Sequence, residues 1–185
     1  MATDQQVISQ TENWVKSVII ECYFCPFAKR EMDRGSIRYS VIQDETLEAC
    51  LHSIINECIF LDSNDATETA LLILSSAFAR FDDYLQLVAI AEDLLVEQDY
   101  KGIYQLASFH PDYVFADSDK NDAANYTNRS PYPMLHIIRE TSIENALQHY
   151  PDPERIPERN VGHARSLGLE TMKEKLGACY DIKNK

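Results

Sequence analysis

Two short apolar runs, Ala70 to Leu74 and Ile103 to Phe109, with one long amphipathic segment between them, restrict the fold more than any other feature of the chain. A run of this length without polar alternation is a strand covered on both faces. Ahead of them, Ile37 to Ile42 alternates, with Ile37, Tyr39 and Val41 on one face, which is the pattern of a further strand. The stripe Leu47, Leu51, Ile54, Ile55 and Cys58 predicts a helix between the first two strands, with Asp44 as its N-cap. A second helix, capped by Asp82 and turning Tyr84, Leu85, Val88 and Leu95 inward, ends before Gly102. These are two consecutive strand–helix–strand units, each with a crossover long enough to return the chain parallel and right-handed. A last strand is predicted at Met134 to Arg139. The chain is therefore read as one α/β domain: a mostly parallel sheet of about four strands flanked by helices, with an antiparallel strand allowed at one edge.

The remaining segments surround this frame. Val7, Thr11, Trp14, Val18 and Cys22 recur at helical spacing, predicting a first helix from about Gln5 to Cys22. Thr141 and Ser142 offer capping hydroxyls for a short helix through Ala146 and Leu147. After Pro151, Pro153 and Pro157, a helical pair follows from about Glu158 to Gly177. At 185 residues, 45% hydrophobic and 25% charged, the composition is that of a globular domain, without internal repeats or low-complexity segments.

Charge is uneven. Of the net −13, most lies between Tyr39 and Tyr100, where thirteen acidic residues face Arg80 alone. Such a surface repels phosphate backbones and argues against nucleic acid as a partner; solvated acidic helix faces explain it. No apolar run approaches the roughly 18 residues that would span a membrane. The N-terminus has neither a basic region nor an apolar signal core, so a cytoplasmic location is expected. Cys22, Cys25, Cys50, Cys58 and Cys179 are odd in number and match no disulfide scaffold, which fits free thiols in a reducing compartment. No cofactor is implied: the five glycines form no phosphate loop or dinucleotide fingerprint, and no Gly-x-Ser-x-Gly elbow occurs.

Candidate chemistry concentrates in the long polar stretch Pro111 to Pro133, which lacks periodicity and leaves the carboxyl end of a predicted strand, where open α/β sheets collect ligands. His110 stands at the strand end and is the candidate acid/base, with His136 as a second imidazole. Arg129 offers a planar fork for a carboxylate or phosphate, supported by Asn128, Ser130, Tyr113 and Arg139. The bland account is that Asn, Asp and Ser satisfy the loop's own backbone, that Arg129 pairs with a nearby carboxylate, and that His136 is a half-buried structural residue. The acidic residues Asp112, Asp117, Asp119 and Asp122 beside His110 fit no calcium loop or zinc helix, so no metal is assigned.

Cys25 is the other candidate. With Pro26 at a first helical position and Gly35 at the end, Cys25 would cap a short helix, where the dipole, Lys29 and Arg30 favour thiolate. Apolar surroundings would instead raise its pKa and make it an inert packing residue. The position after the helix start that a dithiol oxidoreductase needs is Ala28, and Cys22 lies on the wrong side.

The combination Trp14-Val15, Cys25-Pro26-Phe27-Ala28, Ile37-Arg38-Tyr39, His110-Pro111-Asp112-Tyr113 and Asn128-Arg129-Ser130-Pro131-Tyr132-Pro133-Met134-Leu135-His136 resembles a bacterial family catalogued as a domain of unknown function. The resemblance runs on to Ile156-Pro157-Glu158-Arg159-Asn160 and implies a bacterial, cytosolic, single-domain protein. It supplies no activity. Three functions follow from the residues. The first is a small-molecule hydrolase or transferase acting on an anion held by Arg129, with His110 as acid/base and Cys25 as an optional nucleophile. The others are a noncatalytic ligand-binding or interaction domain and a Cys25-based thiol redox protein.

Overall fold

Thr3 opens the first helix, α1 (Asp4–Trp14), through a reciprocal pair of hydrogen bonds with Gln6 that satisfies two N–H groups at the helix start. The computed structural model describes residues 2–43, 46–148 and 150–181. Beyond Trp14 the chain continues as a π-helical stretch, Val15–Ile20, so the helix expected to run to Cys22 is present with wider turns in its second half. This winding buries Trp14, Val15, Val18 and Ile19 on one side.

A short helix, α2 (Ala28–Arg34), ends on Gly35, whose φ of 65° is the left-handed conformation expected of a terminating glycine. Strand β1 (Ile37–Val41) leads to α3 (Leu47–Asp62) and β2 (Thr69–Ile73). Thr46 caps α3 by accepting from the N–H of Ala49; Asp44, the expected cap, lies outside the described residues. Helix α4 (Phe81–Glu97) and strand β3 (Tyr104–Phe109) follow, then β4 (Met134–Arg139), α5 (Glu140–Leu147), α6 (Ile156–Leu167) and α7 (Leu169–Ala178). Two expected caps fall inside their helices. Asp82 sits in the first turn of α4, where its charge still favours the dipole, and Thr141 and Ser142 follow the start of α5 at Glu140.

The sheet order is β1-β2-β4-β3, with β1 and β2 parallel and β4 antiparallel to both its neighbours. Three strands therefore point one way, and the fold is α/β as expected. The antiparallel strand is not at an edge, however. Met134, Leu135 and Ile137 are each at most 1% exposed, so β4 carries apolar residues on both faces and belongs in the interior of the sheet. The β2–α4–β3 crossover consequently steps over a gap that β4 fills.

Alternation along the strands feeds two cores. On one face Ala70, Leu72, Leu135 and Ile137 meet Ile54, Cys58, Leu61, Tyr84, Leu87 and Ala91 of α3 and α4. On the other, Leu71, Ile73 and Met134 meet Trp14, Val18, Ala164 and Met172. Leu47 and Leu85, expected inward, are 40% and 44% exposed, and Cys50 and Leu87 take the buried positions instead. No helix among the described residues is long and apolar enough to cross a membrane.

The connection from β3 to β4 is not a free loop. It contains a 3-10 turn, Ala123–Thr127, whose five residues are all buried. Asn125 organises it: its Oδ1 accepts from the N–H of Phe115 and the hydroxyl of Ser118, and its Nδ2 donates to the carbonyl oxygen of Asp119. Arg165 of α6 grips Asp122 at 2.7 Å, and the indole N–H of Trp14 donates to the carbonyl oxygen of Arg129 at 2.9 Å. Ala123–Thr127 thus belong to the core, whereas Ala116, Asp117, Asp119, Lys120 and Asn121 ahead of them are exposed.

Candidate functional site

The groups expected to gather an anion are engaged elsewhere. His110 is 0% exposed. Its Nδ1 accepts from the N–H of Asp112 at 3.0 Å, so the ring proton sits on Nε2 and donates to the carbonyl oxygen of Phe78, also at 3.0 Å. Phe81 and Tyr84 pack against the ring, each at 5.1 Å between centroids. Burial pushes its pKa down. With both nitrogens in use, His110 has no atom left for a substrate; it holds Phe78, whose φ of 55° is left-handed.

Arg129 spends its fork on main-chain oxygens, Nε on Tyr113 at 3.1 Å and Nη2 on Lys120 at 2.9 Å, with its guanidinium over the Tyr126 ring. It borders a hollow with Arg80, Lys120, Asp82 and Asp112 that does not include His110. Asn128 donates to the carbonyl oxygen of Ser108, and Ser130, fully buried, donates to that of Tyr132. Tyr113 lies between the rings of Phe81 and Phe115. Arg139 donates to the carbonyl oxygens of Leu61 and Thr67 and to the hydroxyl of Tyr104, closing the end of α3. These residues satisfy local backbone, and the anion receptor with His110 as acid/base is not assembled.

Cys25 and His136, by contrast, are brought together. Both line two adjoining cavities on the α1 face of the sheet, of about 240 and 420 Å³, and Cys25, Ala28, Thr69, His136 and Ile138 belong to the walls of both. The smaller chamber is apolar, formed largely by Trp14, Val15, Ile19, Leu71, Ala107 and Phe109, and the wider turns after Trp14 supply part of its wall. The larger one is bounded by Glu68 just before β2, by Gln105 of β3, by Arg30 and Glu31 of α2, and by Ser142, Ile143 and Leu147 of α5. Thr69 and Ile37 stand at the amino ends of β2 and β1, and the smaller chamber runs from there across the sheet face to Phe109, the last residue of β3; His110, the next residue, lines neither chamber.

Protonation follows from the local bonds. Oγ1 of Thr69 lies 2.6 Å from Nε2 of His136 and 2.6 Å from the carbonyl oxygen of Ile137. A carbonyl can only accept, so the hydroxyl proton goes to Ile137 and Nε2–H of His136 donates to Thr69. Nδ1 then carries a lone pair, and no hydrogen bond to it occurs among the described residues. The imidazole lies deep in the fold yet borders the cavities, and burial brings its pKa down from 6.5 to about 4. It is neutral at neutral pH.

Cys25 does not cap α2: Phe27 occupies that position and the helix begins at Ala28. Burial pushes the Cys25 thiol pKa up, and hydrogen bonds from the Phe27 and Ala28 backbone only partly offset this. The direction of this shift is the one expected of apolar surroundings and not of a helix start. Cys22 is buried in the core, its thiol also raised chiefly by burial. No group of three or more His, Cys, Asp or Glu side chains able to hold a metal occurs among the described residues.

Sequence reasoning did not reach Glu68 and Thr69. They sit at the margin of the apolar run that marks β2 and carry no spacing of their own. Only the register, which sets Thr69 opposite Ile138 and Leu71 opposite His136, brings Thr69 to the imidazole, and Glu68 precedes it in the wall of the same chamber.

Compared with known proteins, the chain is matched over residues 6–174 by the family model described as "Protein of unknown function (DUF1415)". No curated protein and no solved structure matches it.

Proposed function

Because the chain belongs to this family of unknown function, which brings no activity with it, we propose a role from the cavities alone: the protein binds a mainly apolar small molecule in the joined chambers beside His136. The observation that carries this is the pairing of an apolar chamber with a second that adds a few polar groups, the usual make-up of a small-molecule site. The larger chamber falls within the roughly 300–1,000 Å³ typical of such sites. A neutral imidazole and a protonated thiol favour holding a ligand over driving proton transfer, since a general base works best with a pKa near the working pH. Free thiols at all five cysteines support a cytosolic setting.

The test uses the neutral apolar dye N-phenyl-naphthylamine, whose emission rises out of water. Saturable enhancement with the full chain is expected, and Ala28→Leu and Ala107→Leu, which fill the chambers, should abolish it. Unchanged binding in both variants overturns the reading.

A second reading, a hydrolase or transferase, rests on Cys25 and His136 sharing the same walls. In it the thiol attacks an ester carbonyl, His136 takes the thiol proton, and an alcohol leaves. Nitrophenolate release from a p-nitrophenyl ester that is lost in both Cys25→Ala and His136→Ala supports it. Equal release by Cys25→Ala removes it.

A further inference from the structure

Among the described residues, Glu68 Oε1 is the buried side-chain oxygen without a hydrogen-bond partner. Glu68 immediately precedes β2 and lines the larger chamber with Thr69, His136 and Cys25. A carboxylate oxygen withdrawn from water without a donor is costly, more so than a neutral group, and such atoms in folded proteins nearly always have partners. The cation on the same wall does not serve it: Nε of Arg30 lies on Glu31 at 2.5 Å, and Glu31 also takes the Ser36 hydroxyl and the guanidinium of Arg34. On the wall of the same chamber is a second acceptor, Nδ1 of His136, to which no hydrogen bond occurs among the described residues and which the Thr69–Ile137 arrangement keeps unprotonated.

Beside Arg30, Gln105 and Ser142, the polar end of the site thus holds two acceptors to which no donor is bonded among the described residues, one of them a carboxylate. The smaller chamber beyond offers hydrocarbon and aromatic surface. The complement is a compact head with several N–H donors and a positive charge on an apolar body. We propose that the site takes an amphipathic amine, its protonated amino group donating to Glu68 and to Nδ1 of His136 and its hydrocarbon filling the chamber of Trp14, Leu71 and Phe109. This rests on the ligand-binding reading above, and it reverses the charge expected of the ligand from the sequence. An ammonium has three donors, enough for both acceptors and one more contact, whereas a carboxylate head would meet Glu68 with like charge.

Isothermal titration of the full chain with octylamine, octanol and octanoate tests the proposal. Octylamine should bind at least about tenfold tighter than octanol, the gain of one charge-assisted hydrogen bond, and octanoate more weakly than either. Glu68→Gln should remove the preference for the amine, so that octylamine binds no tighter than octanol. Octanoate binding as well as octylamine, or an amine preference that survives Glu68→Gln, overturns the inference. If Glu68→Gln does not fold, octyltrimethylammonium decides on the native chain: it keeps the charge but has no N–H, so equal or tighter binding overturns the inference and weaker binding supports it. Octanol binding that Ala28→Leu abolishes, without any amine preference, leaves the pocket standing and removes this inference alone. Binding of none of the probes removes both.

Discussion

Nε2 of His136 lies 2.6 Å from the hydroxyl oxygen of Thr69, which lies 2.6 Å from the carbonyl oxygen of Ile137. One hydroxyl thus serves a side chain and a main-chain group of the neighbouring strand, and fixes which imidazole nitrogen carries the proton. Thr69→Val keeps the shape and deletes both bonds. It should cost about 2 kcal/mol, since two inward-facing polar groups lose their partner. Urea unfolding measures this, with Thr69→Ser recovering most of the loss. An unchanged midpoint in Thr69→Val removes the claim.

The imidazole of His136 gives a pH dependence of definite sign. Burial sets its folded pKa at about 4, against an ordinary 6.5. Above the ordinary value both states are neutral and the stability is fully present. As pH falls from 6.5 toward 4, the unfolded chain takes up a proton that the folded chain refuses, so stability declines. Below the folded value both states are protonated and the loss levels off, at up to roughly 3 kcal/mol. His110 shifts in the same direction, so the contrast with His136→Phe isolates the His136 part. Unfolding midpoints across this range should fall less steeply in the variant; parallel curves contradict the assignment.

For Arg139 an effect on stability is expected, without one on binding. Its contacts with the carbonyl oxygens of Leu61 and Thr67 hold the end of α3 against the sheet. Arg139→Met should cost about 2–3 kcal/mol, because hydrogen bonds from a charged donor are lost together. Dye binding should be unaltered. A variant that unfolds normally but no longer binds would return Arg139 to the ligand site.

Asn125 is the keystone of the connection between β3 and β4. At 0% exposure it has no access to water, and Asn125→Asp replaces its amide donor by a carboxylate oxygen facing the carbonyl oxygen of Asp119. A loss of about 3 kcal/mol is expected. Hydrogen exchange at the Phe115 amide, which bonds to Asn125, should accelerate along with it. Protection equal to that of the native chain contradicts this role.

Because its thiol is raised by burial, Cys25 should react with iodoacetamide at neutral pH more slowly than free cysteine. Since it lines both chambers, bound dye should slow it further. Mass spectrometry of the modified chain follows the reaction. Alkylation as fast as that of free cysteine contradicts both the thiol's state and its place in the wall.

Strand β4 and the α3 stripe were readable from the sequence, the first as a short run rich in apolar residues and the second by its helical period. The position of β4 in the sheet was not: strand order is decided by which edges the long connection brings together, and Met134 to Arg139 reads the same as an edge or an interior strand. The site divides along the same line. Cys25 and His136 stand out as residue types, and both reach the cavity walls. His110 stood out equally, yet its neighbours Phe78 and Asp112 saturate it, one of them from a distant turn. Asn, Ser and Arg between Pro111 and Pro133 look alike whether they bind ligand or backbone. Here the backbone took them, since a buried connection must find partners for its own N–H and carbonyl groups.

The interior place of β4 also fixes when the protein can become itself. β3 pairs with β4 alone, and β2 has one bare edge until β4 arrives. A nascent chain halted before Met134 holds three strands, of which β1 and β2 can pair while β3 has no neighbour, so completing the sheet waits for a late segment and a long-range pairing. His136 travels on that segment. The pairing that closes the sheet is thus also what sets His136 between Leu71 and Ala107, in the wall of both cavities.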